Sequence, residues 1–314
     1  MRLESVPVTL FSVVMGLCGV TLALRAGETA AGLTDLASGA AHLLTLAVFV
    51  VVALAYAAKA LRHPQAVARE WANPVSLAFF PAISIALLLF AIVMMGPAPG
   101  IARILWLLAV PLQLVLTLAV ISGWIGTRAF QHGHLTPAWF IPAVGNVIVA
   151  IAGVPLGYVD LSWFFTSVGL IFWVVLLTLV MNRLIFHDPM PGKLQPTLVI
   201  LIAPPAVAFL SWLRLTGEID AFARLLINMA YLFTLIVAVN LPRIVKLPFA
   251  LSFWALSFPF AAVTIASFRF AEKTGSGAHE VFGLVTLAVL VVVIAALIVR
   301  TMKAIAAGQI CVPE

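Results

Sequence analysis

FALSFWALSFPFAAVTIASFRFA, residues 249–271, carries a single charged side chain, that of Arg269, close to its end. About 20 apolar residues in a row can cross the hydrocarbon core of a bilayer as an α-helix. Pro259 lies near the middle of this stretch, where it removes one helical hydrogen bond and frees the carbonyl four residues earlier. The stretch therefore predicts a membrane-spanning helix that is interrupted at its centre.

The whole chain has the same apolar character. Of its 314 residues, 64% are hydrophobic and 9% are charged, whereas an ordinary soluble domain has about 25% charged residues. A bilayer admits only helices and closed barrels, and the apolar runs here have the length of helices. We predict an all-α integral membrane protein with a single transmembrane domain, residues 1–314.

Ten apolar runs are long enough to span the membrane. The break between the fifth and sixth runs is short, Gly157-Tyr158-Val159-Asp160, so nine spans are the alternative. The predicted spans are residues 6–24, 39–61, 74–95, 101–121, 137–159, 161–181, 195–215, 221–241, 249–271 and 279–302.

Proline marks the odd-numbered spans at a spacing of about 60 residues. Broken backbone at membrane depth needs protein or a water-filled cavity around it. We therefore predict five helical hairpins, with an inner ring of five odd helices around a pore and an outer ring of five even helices. The alternative is that these prolines only kink packed helices. The residues concerned are Pro81, Pro142, Pro204, Pro205 and Pro259, with Gly16 and Gly19 at the matching place in the first span.

The centres of the predicted inner spans contain no Asp, Glu, Lys, Arg or His. Proton relays and ion-coupled carriers usually need such groups, so an uncharged pathway favours a channel. The polar groups left for a pathway are Ser12, Ser76, Ser84, Asn146, Ser257 and Thr264.

The basic residues predict the orientation of the chain in the membrane. Eleven of the 17 Lys and Arg residues, including Arg2 and Arg128, fall on the face that the two termini share. This face is predicted to be cytoplasmic, and its charge would draw anions to that mouth. Because the basic residues lie in short loops beside membrane helices, we expect lipid rather than nucleic acid as their partner. Arg214 and Arg224, on the opposite face, are interpreted as snorkelling to the interface, with an Arg214–Asp220 ligand site as the alternative.

The sequence resembles the tellurite-resistance protein A and plant slow-type anion channel family over nearly its whole length. Four segments carry the resemblance: FSVVMGL (11–17), NPVSLAFFP (73–81), TPAWFIPAVGN (136–146) and SFWALSFP (252–259). The resemblance implies a homotrimer in which each protomer has its own pore. It also implies a bacterial cytoplasmic (inner) membrane protein with small inorganic anions as partners and no cofactor.

The resemblance further implies a gate in the ninth helix, and the matching residue is Phe258. Gly16 would leave room for its ring. We expect a gated channel for chloride-like or nitrate-like anions; the alternative is a secondary transporter or exporter of dicarboxylate, sulfite or a tellurium oxyanion. The residues expected to line the pore are Gly16, Phe79, Phe80, Pro81, Pro142, Asn146, Pro204, Pro205, Ser257 and Pro259.

The loop histidines His132 and His134, with His63 and His187, could suggest a metal-dependent membrane enzyme. His-x-His spacing without a third ligand of known geometry does not predict a metal site. We expect no metal, no catalysis and no disulfide from the two cysteines, Cys18 and Cys311.

Overall fold

The computed structural model describes residues 3–126 and 130–311, and every regular element in these residues is an α-helix or a 3-10 helix. The predicted all-α class is confirmed. Arg2 and Arg128, used in the orientation prediction, lie outside the described residues. The α-helices are α1 Phe11–Ala30, α2 Leu36–Arg62, α3 Pro64–Ala72, α4 Ala82–Met94, α5 Pro99–Ile125, α6 Phe140–Gly153, α7 Val159–Phe186, α8 Ala203–Thr216, α9 Ala221–Ile244, α10 Ser257–Thr274 and α11 Gly277–Ala306.

Nine helical segments of the described residues are long and apolar enough to cross a membrane, and Pro137–Gly153 is a shorter apolar helix. Helices α6 and α7 are separate, because Gly157 between them has a φ of 90°, which favours glycine. Helix α3 was not predicted from the sequence; it is a short amphipathic element between the second and third spans.

A 3-10 segment precedes each of α1, α4, α6, α8 and α10. The nearly regular spacing of proline in the sequence reflects this junction in the last four. Pro81 caps α4, while Pro142, Pro204–Pro205 and Pro259 lie within the first three residues of their helices. The predicted interruption of these spans therefore has the form of a change from 3-10 helix to α-helix at the proline, and not of a kink inside an α-helix. A proline in the first turn loses no hydrogen bond, since that N–H has no intrahelical partner. The 3-10 segments are Val8–Leu10, Ser76–Phe79, Pro137–Trp139, Gly192–Ile202 and Leu251–Leu256.

These five helices pack against one another in a closed ring. α1 contacts α4, α4 contacts α6, α6 contacts α8, α8 contacts α10, and α10 returns to α1. Each also packs on the helix that follows it, respectively α2, α5, α7, α9 and α11. In the apolar segments ending in α1, α4, α8 and α10, 67–78% of residues are buried, against 17–39% in the five following helices. The apolar exposed faces of these following helices suit contact with lipid.

A buried ion pair fastens α3 to α2 and to the start of the chain. Lys59 Nζ lies 2.7 Å from Glu70 Oε2, which also accepts a hydrogen bond from Tyr56 Oη at 3.0 Å. The other carboxylate oxygen of Glu70 accepts the Val8 N–H at 2.6 Å, and Lys59 donates to the carbonyl of Val6 at 2.8 Å. The segment that leads into α1 is therefore held by charge-assisted hydrogen bonds.

Candidate functional site

A cavity of about 620 Å³ lies among the C-terminal halves of the five ring helices. All five contribute apolar side chains to its wall: Leu22 of α1, Leu89 of α4, Ile151 of α6, Leu210 of α8 and Ile265 of α10. Ile151 is the one residue of α6 that is not buried. The ring therefore encloses a wide cavity at the C-terminal ends of its five helices.

A second and much smaller space, about 40 Å³, lies toward the N-terminal ends of the same helices. Ser12, Phe79, Ile141, Ile200 and Trp254 are among its lining residues, so all five ring segments meet there too. Its wall is almost entirely apolar, and little water could occupy a space of this size.

Phe258, near the start of α10, is the one described residue that lines both spaces. The residue is buried, with 8% of its surface exposed. The ring therefore lies at the point where the wide cavity ends and the narrow space begins.

Glycines of α1 allow α10 to approach closely, and the two glycines meet different residues. A β-carbon added to Gly19 would lie 3.5 Å from Cδ2 of Phe258 and 2.8 Å from Cβ of Ala261. A β-carbon on Gly16 would lie 2.1 Å from Oγ of Ser257. The space beside the ring is left by Gly19, so the expected packing of Gly16 against Phe258 is corrected: Gly16 serves the contact between α1 and α10.

The aromatic and proline residues that were expected to line the pore lie in different places. Phe79 and Pro259 line the narrow space. Phe80 packs edge-on against Trp71 of α3, with ring centroids 4.8 Å apart. Pro81, Pro142, Pro204 and Pro205 lie at helix starts and, within the described residues, line neither space.

The expected polar pore residues are largely engaged in contacts between helices. Ser257 is fully buried and donates to the carbonyl of Trp254. Asn146 faces α5, where its amide donates to Thr117 Oγ1 at 3.1 Å and to the Pro142 carbonyl at 2.7 Å. The Asn146–Thr117 bond therefore joins α6 to α5, whereas the Ser257 bond is local to the start of α10. Neither residue lines the described spaces.

The same network joins α4 to α5. Ser84 donates to Gln113 Oε1 at 2.6 Å, and Gln113 Nε2 donates to Thr117 at 3.0 Å. Gln113 fits only because residue 145 is glycine, since a β-carbon there would lie 2.4 Å from Gln113 Nε2. These hydrogen bonds hold α4 and α6 to α5.

Basic side chains line the wide cavity in a cluster that was not predicted from the sequence. Arg25, Arg214, Arg269 and Lys273 line it together with one acidic residue, Glu272. These residues come from α1, α8 and α10, which end on the face opposite the termini. Basic side chains therefore also lie at the mouth opposite the termini. Their signal in the sequence is that each follows the apolar centre of an odd-numbered span.

Asp220 is not a partner of Arg214, contrary to the alternative considered from the sequence. Its carboxylate accepts hydrogen bonds from the Ala223 N–H at 2.7 Å and the Trp212 indole N–H at 3.0 Å. These two bonds hold the pKa of Asp220 below its ordinary value. Asp220 therefore caps α9, while Arg214 reaches into the cavity.

Two of the loop histidines, His132 and His187, lie against each other. The rings of His132 and His187 stack with centroids 4.3 Å apart, and His134 Nδ1 accepts the Gln131 N–H. Within residues 3–126 and 130–311, no three His, Cys, Asp or Glu side chains are grouped to hold a metal ion.

A ring of apolar helices that encloses two spaces, both lined by Phe258, with basic residues at one mouth, is typical of a membrane transport protein. Residues 5–302 match the SLAC1 family model, described as voltage-dependent anion channel, and the chain belongs to this family. The resemblance inferred from the four sequence segments is confirmed. The family comprises anion channels and transporters rather than enzymes.

Similar proteins come from plants and bacteria. The chain is 30% identical to S-type anion channel SLAH3 of Arabidopsis thaliana over 82% of its own length, and 24% identical to Guard cell S-type anion channel SLAC1 of the same plant over 85%. It spans 41% and 50% of the lengths of those two proteins. It is 27% identical to Tellurite resistance protein TehA homolog of Haemophilus influenzae over 84% of its length and 81% of that protein.

Proposed function

We propose that this protein is a gated channel for small monovalent anions such as chloride and nitrate, closed by the ring of Phe258. The position of this ring between the wide cavity and the narrow space carries the proposal. An apolar ring in a narrow neck excludes hydrated ions and favours dewetting. Displacing it would join the two spaces into one passage.

The apolar surface on either side of Phe258 suits passive conduction. Met15, Val144 and Ala255 line the narrow space, and Val207 and Ala262 line the wide cavity near it. Without a charged group to bind an ion at the neck, permeating anions would be ranked by how readily they lose water. Nitrate, which is weakly hydrated, should then pass at least as well as chloride.

The proposed arrangement in the membrane has ten spans in five hairpins, the ring helices inside and α2, α5, α7, α9 and α11 facing lipid. The difference in burial between the two sets supports it. The cytoplasmic placement of the termini rests on the basic residues of that face. The homotrimer, the pore in each protomer and the bacterial inner membrane follow from the resemblance to the family.

A secondary transporter of dicarboxylate, sulfite or a tellurium oxyanion is the second candidate. The gathering of four basic side chains in the wide cavity favours it, because such a cluster can hold an anion of more than one charge. The name of the Haemophilus relative, Tellurite resistance protein TehA homolog, fits a tellurium oxyanion.

Flux measurements on reconstituted protein test the proposal. Wild type and Phe258→Ala are placed in liposomes, and chloride, nitrate, sulfite and malate flux is measured with and without a proton gradient. We expect Phe258→Ala to conduct monovalent anions without saturation or proton coupling, and Phe80→Ala, whose ring packs on Trp71, to stay closed. A saturable, proton-coupled flux would favour the transporter, and a silent Phe258→Ala would contradict the gate.

A further inference from the structure

The basic cluster in the wide cavity contains one guanidinium, that of Arg214, for which the described residues supply no hydrogen bond and no ion pair. Arg214 is exposed to the cavity. Arg269 repels its charge, and Glu272 attracts it more weakly. Arg25 donates one N–H to the carbonyl of Val93 at 3.2 Å, which leaves the rest of its fork free. The cavity thus holds donors in excess of acceptors.

Positive charges also outnumber negative charges among the described residues that line the cavity. Glu272 is the only acidic side chain among the described lining residues, and it pairs with Arg269 at 2.6 Å. Both partners are well exposed, at 41% and 58% of their side-chain surface. An exposed pair of this kind contributes little and is easily replaced by another anion.

Stabilisation of helix C-termini accounts for only part of the cluster, because Arg214 and Lys273 lie in the last turns of α8 and α10 but the other two basic residues do not. Cations are favourable within the last turn of a helix, but Arg25 and Arg269 lie before the last turn of α1 and α10. Helices α4 and α6 end at the same cavity with no basic residue in their last turns. A purely structural role would not concentrate the charges on one side of the cavity wall in this way.

We infer that Arg214 and Arg269, with Arg25 and Lys273 beside them, form a binding site for a small divalent oxyanion such as sulfate or a short dicarboxylate. A guanidinium presents a planar fork that matches a carboxylate or a sulfate in bidentate geometry. An anion with two charged groups neutralises two repelling cations at once, which a halide does not. The cavity, at about 620 Å³, has the size of known small-molecule sites.

The consequence for transport rests on the proposed function. A strongly hydrated dianion does not enter the apolar neck at Phe258. It therefore occupies the wide cavity without passing through the channel. It should therefore block monovalent anion flux, and only from the face on which the cavity opens. The effect should weaken with salt, because the site is open to water.

Binding of malonate is the direct test, and it does not depend on conduction. Isothermal titration is carried out on the full chain in nanodiscs of zwitterionic lipid at low ionic strength. We expect Arg214→Gln to raise the Kd at least about tenfold, as the loss of charge-assisted hydrogen bonds predicts, and Arg214→Lys to raise it less. Glu272→Gln should lower the Kd, because it frees Arg269; misfolding cannot produce such a gain.

The control is Arg103→Gln, which removes a positive charge on the same face but outside the described cavity wall. Its Kd should equal that of the wild type. Unchanged malonate affinity in Arg214→Gln, or no malonate binding by the wild type, would overturn the site.

Chloride current through Phe258→Ala, with malonate added to one side, separates this inference from the proposed function. Current that malonate blocks from the cavity face supports both. Current without block, together with no binding, rejects the site and leaves the channel. Binding without any current rejects the channel and leaves the site.

Discussion

Gly19 of α1 faces the Phe258 ring of α10 so closely that a β-carbon on Gly19 would lie 3.5 Å from Cδ2 of the ring. The same β-carbon would lie 2.8 Å from Cβ of Ala261, one turn further along α10. The Phe258 ring is therefore confined between the backbone of α1 and the first turn of α10. The position of α1 sets the space in which Phe258 can move.

Gly19→Ala should destabilise the contact between α1 and α10, because its methyl group requires one helix to shift. Overpacking of this kind costs about 1–3 kcal/mol, which a lowered melting temperature in detergent would reveal. Adding Ala261→Gly removes the atom that is met at 2.8 Å and should restore the melting temperature. If the double variant melts as low as Gly19→Ala alone, the described approach of the helices is incorrect.

Glu70→Ala should cost about 3 kcal/mol or more of the free energy of unfolding, because it leaves the Lys59 ammonium buried without its partner. Both side chains are largely buried, with 4% exposure for Lys59 and 11% for Glu70. Glu272→Ala is the matched control, since it breaks an exposed pair of similar length and should cost less than about 1 kcal/mol. Equal losses of stability in thermal or denaturant unfolding would refute the distinction.

The cap of α9 should make stability depend on acid. The pKa of Asp220 is lowered in the folded chain, so its contribution is complete above the ordinary value of 3.8 and is lost as the pH falls through the folded value. Wild type should therefore lose more of its melting temperature than Asp220→Asn between about pH 5 and pH 3. Parallel pH profiles for the two proteins would show that the cap contributes nothing.

Hydropathy and proline spacing predicted much of the fold, because both are local properties of the chain. The all-helical class and the repeated units around Pro81, Pro142, Pro204–Pro205 and Pro259 were visible in the sequence. The 3-10 segments before these prolines were not, because hydropathy does not distinguish a 3-10 helix from an α-helix. Helix α3 was missed because it is short and half polar.

The site was harder to predict than the fold, since it depends on helix rotation and on contacts between distant segments. Gly16 and Gly19 lie on one face of α1, less than a turn apart, and only the rotation and depth of α1 decide which of them meets the ring. Arg25, Arg214 and Arg269 come from three helices, and they converge only when the ring of helices closes. Local patterns do not contain that information.

The size of the side chain at position 258 tests the central claim most directly. Chloride flux per protein in liposomes is measured for Phe258 and for its replacement by Leu, Val and Ala, with malonate binding as evidence that each variant is folded. The account predicts negligible flux with Phe and flux that increases from Leu to Val to Ala as the neck widens. Folded variants with the same flux at every size would contradict it.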